Sequence, residues 1–381
     1  MTQQTDMTDE TIYLDFNATT PVAPEVVDAM EPYLSERFGN PSSQHPYGRR
    51  ARRAVERARE QIAEVIGCGA DELLFTGSGT EANNLALRGV VGALDSERVV
   101  ISAVEHPSVE APCQFLEAQG VEVTRVGVDE RGAVDLAELE RTLDESVDLV
   151  SVMHANNEVG TIEPIPEIVE LADAVDALVH TDASQTVGKI PVTIEKLGVD
   201  LLTITGHKFY GPKGVGALFV REGVELEPVL RGAGHERGLR PGTENVPAIV
   251  GLGEACVDSA DRLDERRRQL RARRDQLWAL LREEGGGAVT RHVPFDVCLP
   301  NTLNLRFAGV RGSELLEEAD LVAASTGSAC HEGGVAEPSA VLTAMGVPAE
   351  EALGAIRLSV GETTTEEDVE RAAEALLAAV R

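Results

Sequence analysis

Lys208 has the clearest potential for chemistry in the sequence. It follows an apolar, β-branched run at 199–205 that predicts a buried strand, and a turn rich in glycine and proline comes after it at 209–214. Lysine is rarely buried without a partner. Its amine therefore either pairs with a carboxylate or takes part in chemistry, such as Schiff-base formation with a carbonyl cofactor. This stretch alone leaves both interpretations open.

A glycine-rich segment, Gly77-Ser78-Gly79-Thr80, predicts an anion-binding turn. It follows an apolar run at 72–76, and a helical pattern begins at Ala82. A strand, a glycine turn and a helix start expose backbone N–H groups and the Thr80 hydroxyl at the positive end of a helix. Because the segment is neither GxGxxG nor a Walker motif, it favours a single phosphate group over a dinucleotide or a nucleoside triphosphate.

Asp182 ends another apolar run, 178–182, and lies 26 residues before Lys208. Charged residues at the carboxyl ends of successive strands lie where open α/β sheets bind ligands. The structural alternative is a buried Asp182–Lys208 ion pair. Against it, a phosphate site, a carboxylate and a lysine are together the three anchors that pyridoxal 5′-phosphate requires.

Cys330 and His106 are further candidates for chemistry. Cys330 lies in the glycine- and serine-rich segment 323–334, next to His331, which could lower the pKa of the thiol or accept its proton. An inert loop thiol is the structural alternative. His106 follows the apolar run 98–103. Either a ring-stacking imidazole or a loop histidine with satisfied hydrogen bonds would explain it.

The cysteine pattern and the hydropathy narrow the possible classes of protein. Five cysteines lie at wide spacing with no CxxC pair, which predicts reduced thiols rather than a disulfide framework or a zinc site. No apolar run is long enough to cross a bilayer, and residues 1–10 are polar and acidic. We therefore expect no signal peptide, no membrane anchor and a cytoplasmic location.

The charge balance is strongly acidic. The chain has 65 acidic and 34 basic residues, a formal net charge of -31, and only four of the basic residues are lysines. Such self-repulsion weakens a compact fold in dilute buffer and is screened by salt, a property attributed to halophilic proteins. We therefore predict a halophilic protein. We expect no direct binding of nucleic acid, which requires a basic face.

Short apolar runs alternate with amphipathic segments through the first 250 residues, a pattern typical of a mainly parallel sheet covered by helices. We predict an N-terminal segment, 1–20, that packs with a small domain, a large domain, 21–253, and a small α+β domain, 254–381. The small domain would begin with one long helix, 254–284, and contain the Cys330 loop, 325–339. The predicted strands are 72–76, 98–103, 121–126, 149–153, 178–181, 201–205 and 216–220, and the predicted helices between them are 49–65, 109–119, 136–143 and 165–175.

Several motifs in a fixed order carry a family resemblance. The motifs are Tyr13-Leu14-Asp15-Phe16-Asn17-Ala18-Thr19-Thr20-Pro21, Phe38-Gly39-Asn40-Pro41-Ser42-Ser43, Glu105-His106, Asn156-Asn157-Glu158-Val159-Gly160, Asp182-Ala183-Ser184-Gln185, Gly206-His207-Lys208 and 232–243. With these motifs the chain resembles the cysteine desulfurases, class V aminotransferase-like enzymes of fold type I, and more narrowly their nitrogen-fixation and iron–sulfur-cluster branch. The resemblance runs from Tyr13 to about Asp368, nearly the whole chain.

The resemblance implies pyridoxal 5′-phosphate as the cofactor, held by a mainly parallel seven-stranded sheet with helices on both faces. Lys208 would form the Schiff base, Asp182 would pair with the ring nitrogen, and Gln185 would hydrogen-bond the ring oxygen. The residues implied for the phosphate are Gly79, Thr80, Thr205 and His207, joined by Thr243 from the neighbouring subunit of a homodimer.

On the substrate side, the resemblance implies four roles. His106 would stack on the cofactor ring and handle protons, and Asn157 would contact cofactor and substrate. Arg357 would clamp the substrate carboxylate, a task that suits a bidentate guanidinium. Cys330 would be the nucleophile.

The implied reaction converts L-cysteine to L-alanine and leaves the sulfur as a persulfide on Cys330. The sulfur would pass to an iron–sulfur scaffold or another acceptor protein, for cluster assembly or tRNA thiolation. Two alternatives stay open. The Cys330-His331 pair resembles selenocysteine lyases, and a non-catalytic sulfur-assembly scaffold could keep the same fold.

Overall fold

The computed structural model describes residues 11–326 and 337–380. Its strands are β1 (Ile12–Tyr13), β2 (Leu73–Thr76), β3 (Arg98–Ser102), β4 (Glu122–Val126), β5 (Leu149–Ser151), β6 (Leu178–Asp182), β7 (Leu201–Thr205), β8 (Gly216–Val220), β9 (Val289–Arg291), β10 (Thr302–Phe307), β11 (Val322–Ala323) and β12 (Ala355–Ser359). Its α-helices are α1 (Pro24–Ser35), α2 (Pro46–Ile66), α3 (Gly79–Leu94), α4 (Pro107–Glu117), α5 (Leu136–Thr142), α6 (Ile165–Asp173), α7 (Ile194–Leu197), α8 (Val246–Asp261), α9 (Leu263–Gly285), α10 (Gly312–Glu318), α11 (Ala340–Ala344), α12 (Ala349–Ala352) and α13 (Glu366–Ala379).

The main sheet has seven strands within the described residues, in the order β2-β8-β7-β6-β5-β3-β4. Only β8 in this sheet runs antiparallel to its neighbours, β2 and β7. The other four pairs are parallel, as βαβ crossovers require. The predicted mainly parallel α/β sheet of seven strands is therefore confirmed.

Helices cover both faces of this sheet because successive side chains of a strand point to opposite faces. On β7, Leu202 and Ile204 join a core cluster with residues of α2 and α8. Leu201 joins a second cluster with residues of α3 and α4. The predicted strands agree with the observed ones to within two residues at each end, and β7 and β8 match at both ends.

A second sheet packs separately, in the order β12-β10-β9 with antiparallel pairing. Its buried residues share a cluster with α9 and α13. Ile12 and Leu14 join the same cluster, and β1 pairs in parallel with β11. The start of the described chain thus lies against its last third. Among the described helices, none has the length and apolar character to cross a membrane.

The prediction of one long helix at 254–284 is wrong. Two helices, α8 and α9, meet at Arg262, whose φ of -108° and ψ of 6° are not helical. The break follows from tertiary packing, because α8 lies against α1 and α2 whereas α9 lies against α13. The buried Arg266 guanidinium stabilises the junction by contacts with Asp258 at 2.8 Å and with Glu362. Neither glycine nor proline marks this break in the sequence.

Candidate active site

A cavity of about 650 Å³ lies at the carboxyl ends of β6 and β7 and at the N-terminus of α3. Ligands bind at this edge in open α/β sheets. Most of the residues predicted for the site meet here although they are far apart in sequence. Those that line the cavity are Gly79, Thr80, His106, Asn157, Asp182, Gln185, Thr205, His207, Lys208 and Arg357.

Lys208 lies in the turn after β7 and forms no ion pair with Asp182. Its Nζ donates to two main-chain oxygens, Asn17 O at 2.7 Å and Ala18 O at 2.8 Å. Burial lowers the pKa of Lys208 to about 8, and the nearby Arg357 guanidinium adds to that effect. The structural ion pair considered from the sequence is therefore not the arrangement found. Carbonyl partners leave the amine available as a nucleophile in its neutral form.

Asp182, at the end of β6, is only 8% exposed and is held by two donors. Its Oδ1 accepts from Ser184 N at 2.9 Å, and its Oδ2 accepts from Asn83 Nδ2 at 2.7 Å. The same Asn83 amide donates to Ser108 Oγ at 2.8 Å, and this hydroxyl lies 2.8 Å from His106 Nδ1. The Asn83 amide thus holds the Asp182 carboxylate directly and the His106 imidazole through Ser108.

His106 caps α4, and this contact determines its tautomer. Its Nδ1 accepts the main-chain N–H of Ser108 at 3.1 Å. Because a backbone N–H can only donate, the neutral ring carries its proton on Nε2. Burial lowers the pKa of His106, with Asp182 opposing and Lys208 adding to the change. The ring is therefore neutral near pH 7.

The turn before α3 forms a cradle that a phosphate group would fit. Gly79 is buried, and a Cβ there would lie 3.1 Å from the Cβ of Thr205. Ser78 Oγ accepts from Glu81 N at 3.1 Å and starts the helix. Thr80 is exposed at the cavity edge, where the first backbone N–H groups of α3 are free of helical partners.

His207 and Lys213 complete the polar wall near this turn. His207 Nδ1 lies 3.1 Å from Thr19 Oγ1. Burial lowers the pKa of His207 to about 4, and the charges of Lys208 and Lys213 add to that effect. His207 is therefore a neutral hydrogen-bonding group at working pH, while Lys213 supplies an exposed positive charge at the cavity.

Arg357, on β12, already contacts a carboxylate. Its Nη2 lies 2.6 Å from Asp15 Oδ1, and its Nη1 donates to Asn157 O at 3.0 Å. Its buried Nε has no hydrogen-bond partner among the described residues. Asp15 also accepts from Ser325 Oγ at 2.9 Å. A substrate carboxylate would therefore use the free Nε or displace Asp15.

Among the described residues predicted for the site, Thr243 does not line the cavity. Thr243 is exposed in the segment before α8. Cys330 lies outside the described residues, as does its neighbour His331. The four other cysteines are described and free, and burial raises the pKa of each thiol to about 12. They are Cys68, Cys113, Cys256 and Cys298.

Some residues around the site were assigned no role by the sequence analysis, among them Asn17, Asn83 and Lys189. Asn17 lies inside a quoted motif without an assigned role, although its main-chain oxygen binds Lys208. Asn83 is a poor helix former one turn into α3, which was the available signal. Lys189 is one of four lysines in an acidic chain and directly precedes the apolar residues Ile190-Pro191-Val192, and it was assigned no role from the sequence.

Comparisons with known proteins show the family of this chain. The sequence matches the aminotransferase class-V family over residues 12–372. The chain belongs to the aminotransferase class-V family. It is 48% identical over 362 residues to a cysteine desulfurase IscS of Dictyoglomus turgidum, covering 94% of this chain and 91% of that protein.

Two solved structures are similar to this class-V chain throughout. A NifS-like protein has a TM-score of 0.91 at 38% identity, covering 97% of this chain and 98% of that one. SspA in complex with cysteine has a TM-score of 0.82 at 34% identity, covering 93% of this chain and 100% of that one. Pyridoxal 5′-phosphate is the cofactor of the family.

The residues of the cavity fit this cofactor. A buried carboxylate, a lysine of lowered pKa and a glycine turn at a helix N-terminus converge on one space. The lysine can bond to the cofactor's aldehyde, the carboxylate can pair with its protonated ring nitrogen, and the glycine turn can bind its phosphate. Lys208, Asp182, Gln185 and the residues of the glycine turn would hold the group.

Proposed function

We propose that this protein is a cysteine desulfurase that converts L-cysteine to L-alanine and holds the sulfur as a persulfide on Cys330. The observation that carries the proposal is the lowered pKa of the Lys208 amine, which lines one cavity together with Asp182 and Arg357. The relatives named above, two of which bear the names cysteine desulfurase and NifS-like protein, support the same reaction. The sulfur would serve an acceptor protein in iron–sulfur cluster assembly or tRNA thiolation.

The contacts of the cavity residues support the following roles. The bound cofactor supplies an electron sink for the substrate's α-carbon. Asp182 keeps a proton at the ring nitrogen, since its two oxygens are already fixed by donors. Lys208 accepts the α-proton, because its lowered pKa provides a neutral amine near pH 8. Arg357 orients the substrate carboxylate, and His106 would lie against the cofactor ring as a neutral imidazole with its proton on Nε2.

Cys330 supplies the thiolate of the sulfur transfer. An S–S bond forms between Cys330 and the substrate sulfur as the substrate's C–S bond breaks. The electron pair of that bond stays with the substrate, whose β-carbon takes up the proton that the Cys330 thiol has lost. The α-carbon regains a proton from Lys208, and the product leaves as alanine. The other four cysteines do not suit this role, because thiols with a pKa of about 12 carry almost no thiolate at neutral pH.

Selenocysteine lyase is the second candidate function, favoured by the Cys330-His331 pair. Both functions share the cofactor site and differ in the chalcogen that is removed. Initial rates of alanine release from cysteine and from selenocysteine, each at saturation, distinguish them. We expect comparable or faster release from cysteine, and a strong preference for selenocysteine would reverse the choice.

A visible absorption spectrum in concentrated KCl tests the proposal as a whole. Protein incubated with pyridoxal 5′-phosphate and freed of excess should be yellow, because the Lys208 amine bonds to the aldehyde. Addition of cysteine should shift the band while alanine accumulates. A protein that stays colourless would contradict cofactor binding. A yellow protein that releases no alanine would contradict desulfuration and favour the scaffold alternative.

We also propose a homodimer in which Thr243 of one chain completes the phosphate site of the other. The segment that carries Thr243 is held in a fixed shape, since the buried Glu236 carboxylate binds Arg59 at 2.7 Å and Phe75 N at 2.8 Å. Glu236 and Arg237 have backbone φ values of 43° and 58°, which residues other than glycine rarely adopt. Sedimentation should report about twice the chain mass of 40.6 kDa, and a monomer of full activity would contradict this arrangement.

We further propose that the protein works in a salt-rich cytoplasm, because its net charge is -31. Raising KCl from 0.1 M to 2 M should raise the Tm by roughly 5 °C or more, since salt screens the repulsion between carboxylates. The gain should shrink at pH 5.5, closer to the sequence pI of 4.6, where the net charge is smaller. A Tm that is flat or falls with KCl at pH 7.5 would contradict the proposal.

A further inference from the structure

Lys189 is a buried lysine next to the cavity that the proposed reaction does not use. It is 5% exposed, and its Nζ contacts Gln185 Oε1 at 2.8 Å and Asn17 Oδ1 at 3.0 Å. Both partners are neutral amides, and no described carboxylate pairs with the amine. Lysine is rarely buried in this way without an opposite charge. The arrangement therefore calls for an explanation.

The contacts of Lys189 determine which way the Gln185 amide faces. Lys189 takes the Oε1 side of the amide, and Gln185 Nε2 donates one hydrogen to Asn17 O at 3.0 Å. Gln185 lines the cavity, so its second N–H is the group that remains for a ligand there. Asn17 O is also the acceptor of Lys208 Nζ at 2.7 Å. Asn17 Oδ1 also accepts from Asn301 Nδ2 at 2.9 Å, so Lys189 acts mainly on the direction of the Gln185 amide.

We propose that Lys189 is a positioning residue that fixes Gln185 with an N–H donor toward the cofactor's ring oxygen. The proposal rests on the proposed function, because Gln185 faces a ring oxygen only if pyridoxal 5′-phosphate is bound. Positioning requires N–H donors from Lys189 and does not require its charge.

The electrostatic surroundings support a role without charge. Burial lowers the pKa of Lys189 well below its ordinary value, and the nearby cations Lys208 and Arg357 lower it further. A cation added beside these two groups would be repelled, whereas a neutral amine still donates to both amide oxygens. The same contacts make Lys189 a poor candidate for a second Schiff-base lysine, since it does not line the cavity.

The test is a pH titration of the visible spectrum of the cofactor-loaded protein. A donor to the ring oxygen stabilises its ionised form, so Lys189→Met should raise the pH midpoint of the absorption change by about one unit. Gln185→Leu should raise it similarly, and the double variant should show no further rise. Lys196→Met, an exposed lysine of α7, is the matched control and should leave the midpoint unchanged.

Lys189→Gln separates positioning from charge. It keeps an N–H donor one bond nearer the backbone, so its shift should be smaller than that of Lys189→Met. Equal shifts, additive shifts with Gln185→Leu, or an unchanged midpoint in Lys189→Met would each overturn the proposal. If Lys189→Met does not fold, the same cycle with Lys189→Gln decides, because its shift must vanish in the Gln185→Leu background. A wild-type protein without a visible band would instead overturn the proposed function.

Discussion

Lys208→Ala is expected to remove the visible band of bound cofactor and to lower alanine formation by at least about 10²- to 10⁴-fold, the range for a positioned proton-transfer group. The variant loses the covalent link to the cofactor and the base for the α-proton in one change. The amine it removes is unusual, since burial and Arg357 lower its pKa from 10.5 to about 8. At pH 7 about a tenth of such an amine is neutral, against about one in three thousand at the ordinary pKa.

Lys213→Ala is the matched control for this variant. Lys213 also lines the cavity but is exposed, so it should contribute only a charge near the phosphate site. We expect the Lys213→Ala protein to keep its visible band and to need more cofactor for saturation. In the wild type, the rate of cofactor binding should rise with pH through about 8 and level off roughly one unit higher, because the neutral fraction of Lys208 is about one half at its pKa and nearly complete one unit above it. If the Lys208→Ala protein kept the visible band, another lysine would have to form the covalent link to the cofactor.

The parts of the fold that were predictable from sequence are those with local signals. Strands β7 and β8 are mainly apolar runs, β7 ending at Gly206 and β8 starting at Gly216, and their predicted limits match the observed ones at both ends. The glycine turn before α3 was also readable, because it follows such a strand directly. The break at Arg262 has no local signal, since it results from α8 and α9 packing against different helices.

The site shows the same division between local and long-range determinants. Residues that end strands, such as Asp182 and Lys208, were predicted because strand ends meet at one edge of a sheet. Asn17 was assigned no role because its contact with Lys208 joins residues 191 positions apart and uses a main-chain oxygen. Asp15 was also missed. Its pairing with Arg357 depends on β12 and the N-terminal segment lying side by side, which no periodicity in the sequence indicates.

Cys330→Ser is expected to keep the visible band and to lower alanine formation from cysteine by roughly 10³-fold or more, because a hydroxyl does not supply the anion that a thiol does. The matched control is Cys68→Ser, which replaces the least buried of the described cysteines. Because burial and the nearby Glu72 and Asp71 raise the pKa of Cys68 to about 12, this thiol is inert and its loss should not change the rate.

A single-turnover measurement makes the role of Cys330 specific. Without a reducing thiol, the wild type should release about one alanine per chain in a burst and then slow, because the persulfide occupies the nucleophile until an acceptor removes it. The Cys330→Ser protein should show no burst, whereas Cys68→Ser should show the full one. If Cys330→Ser still gave a burst, the sulfur would have to reside on a thiol of much lower pKa than the described four have in this structure. Both the proposed nucleophile and the argument from burial would then be wrong, since they depend on the same distinction between thiol and thiolate.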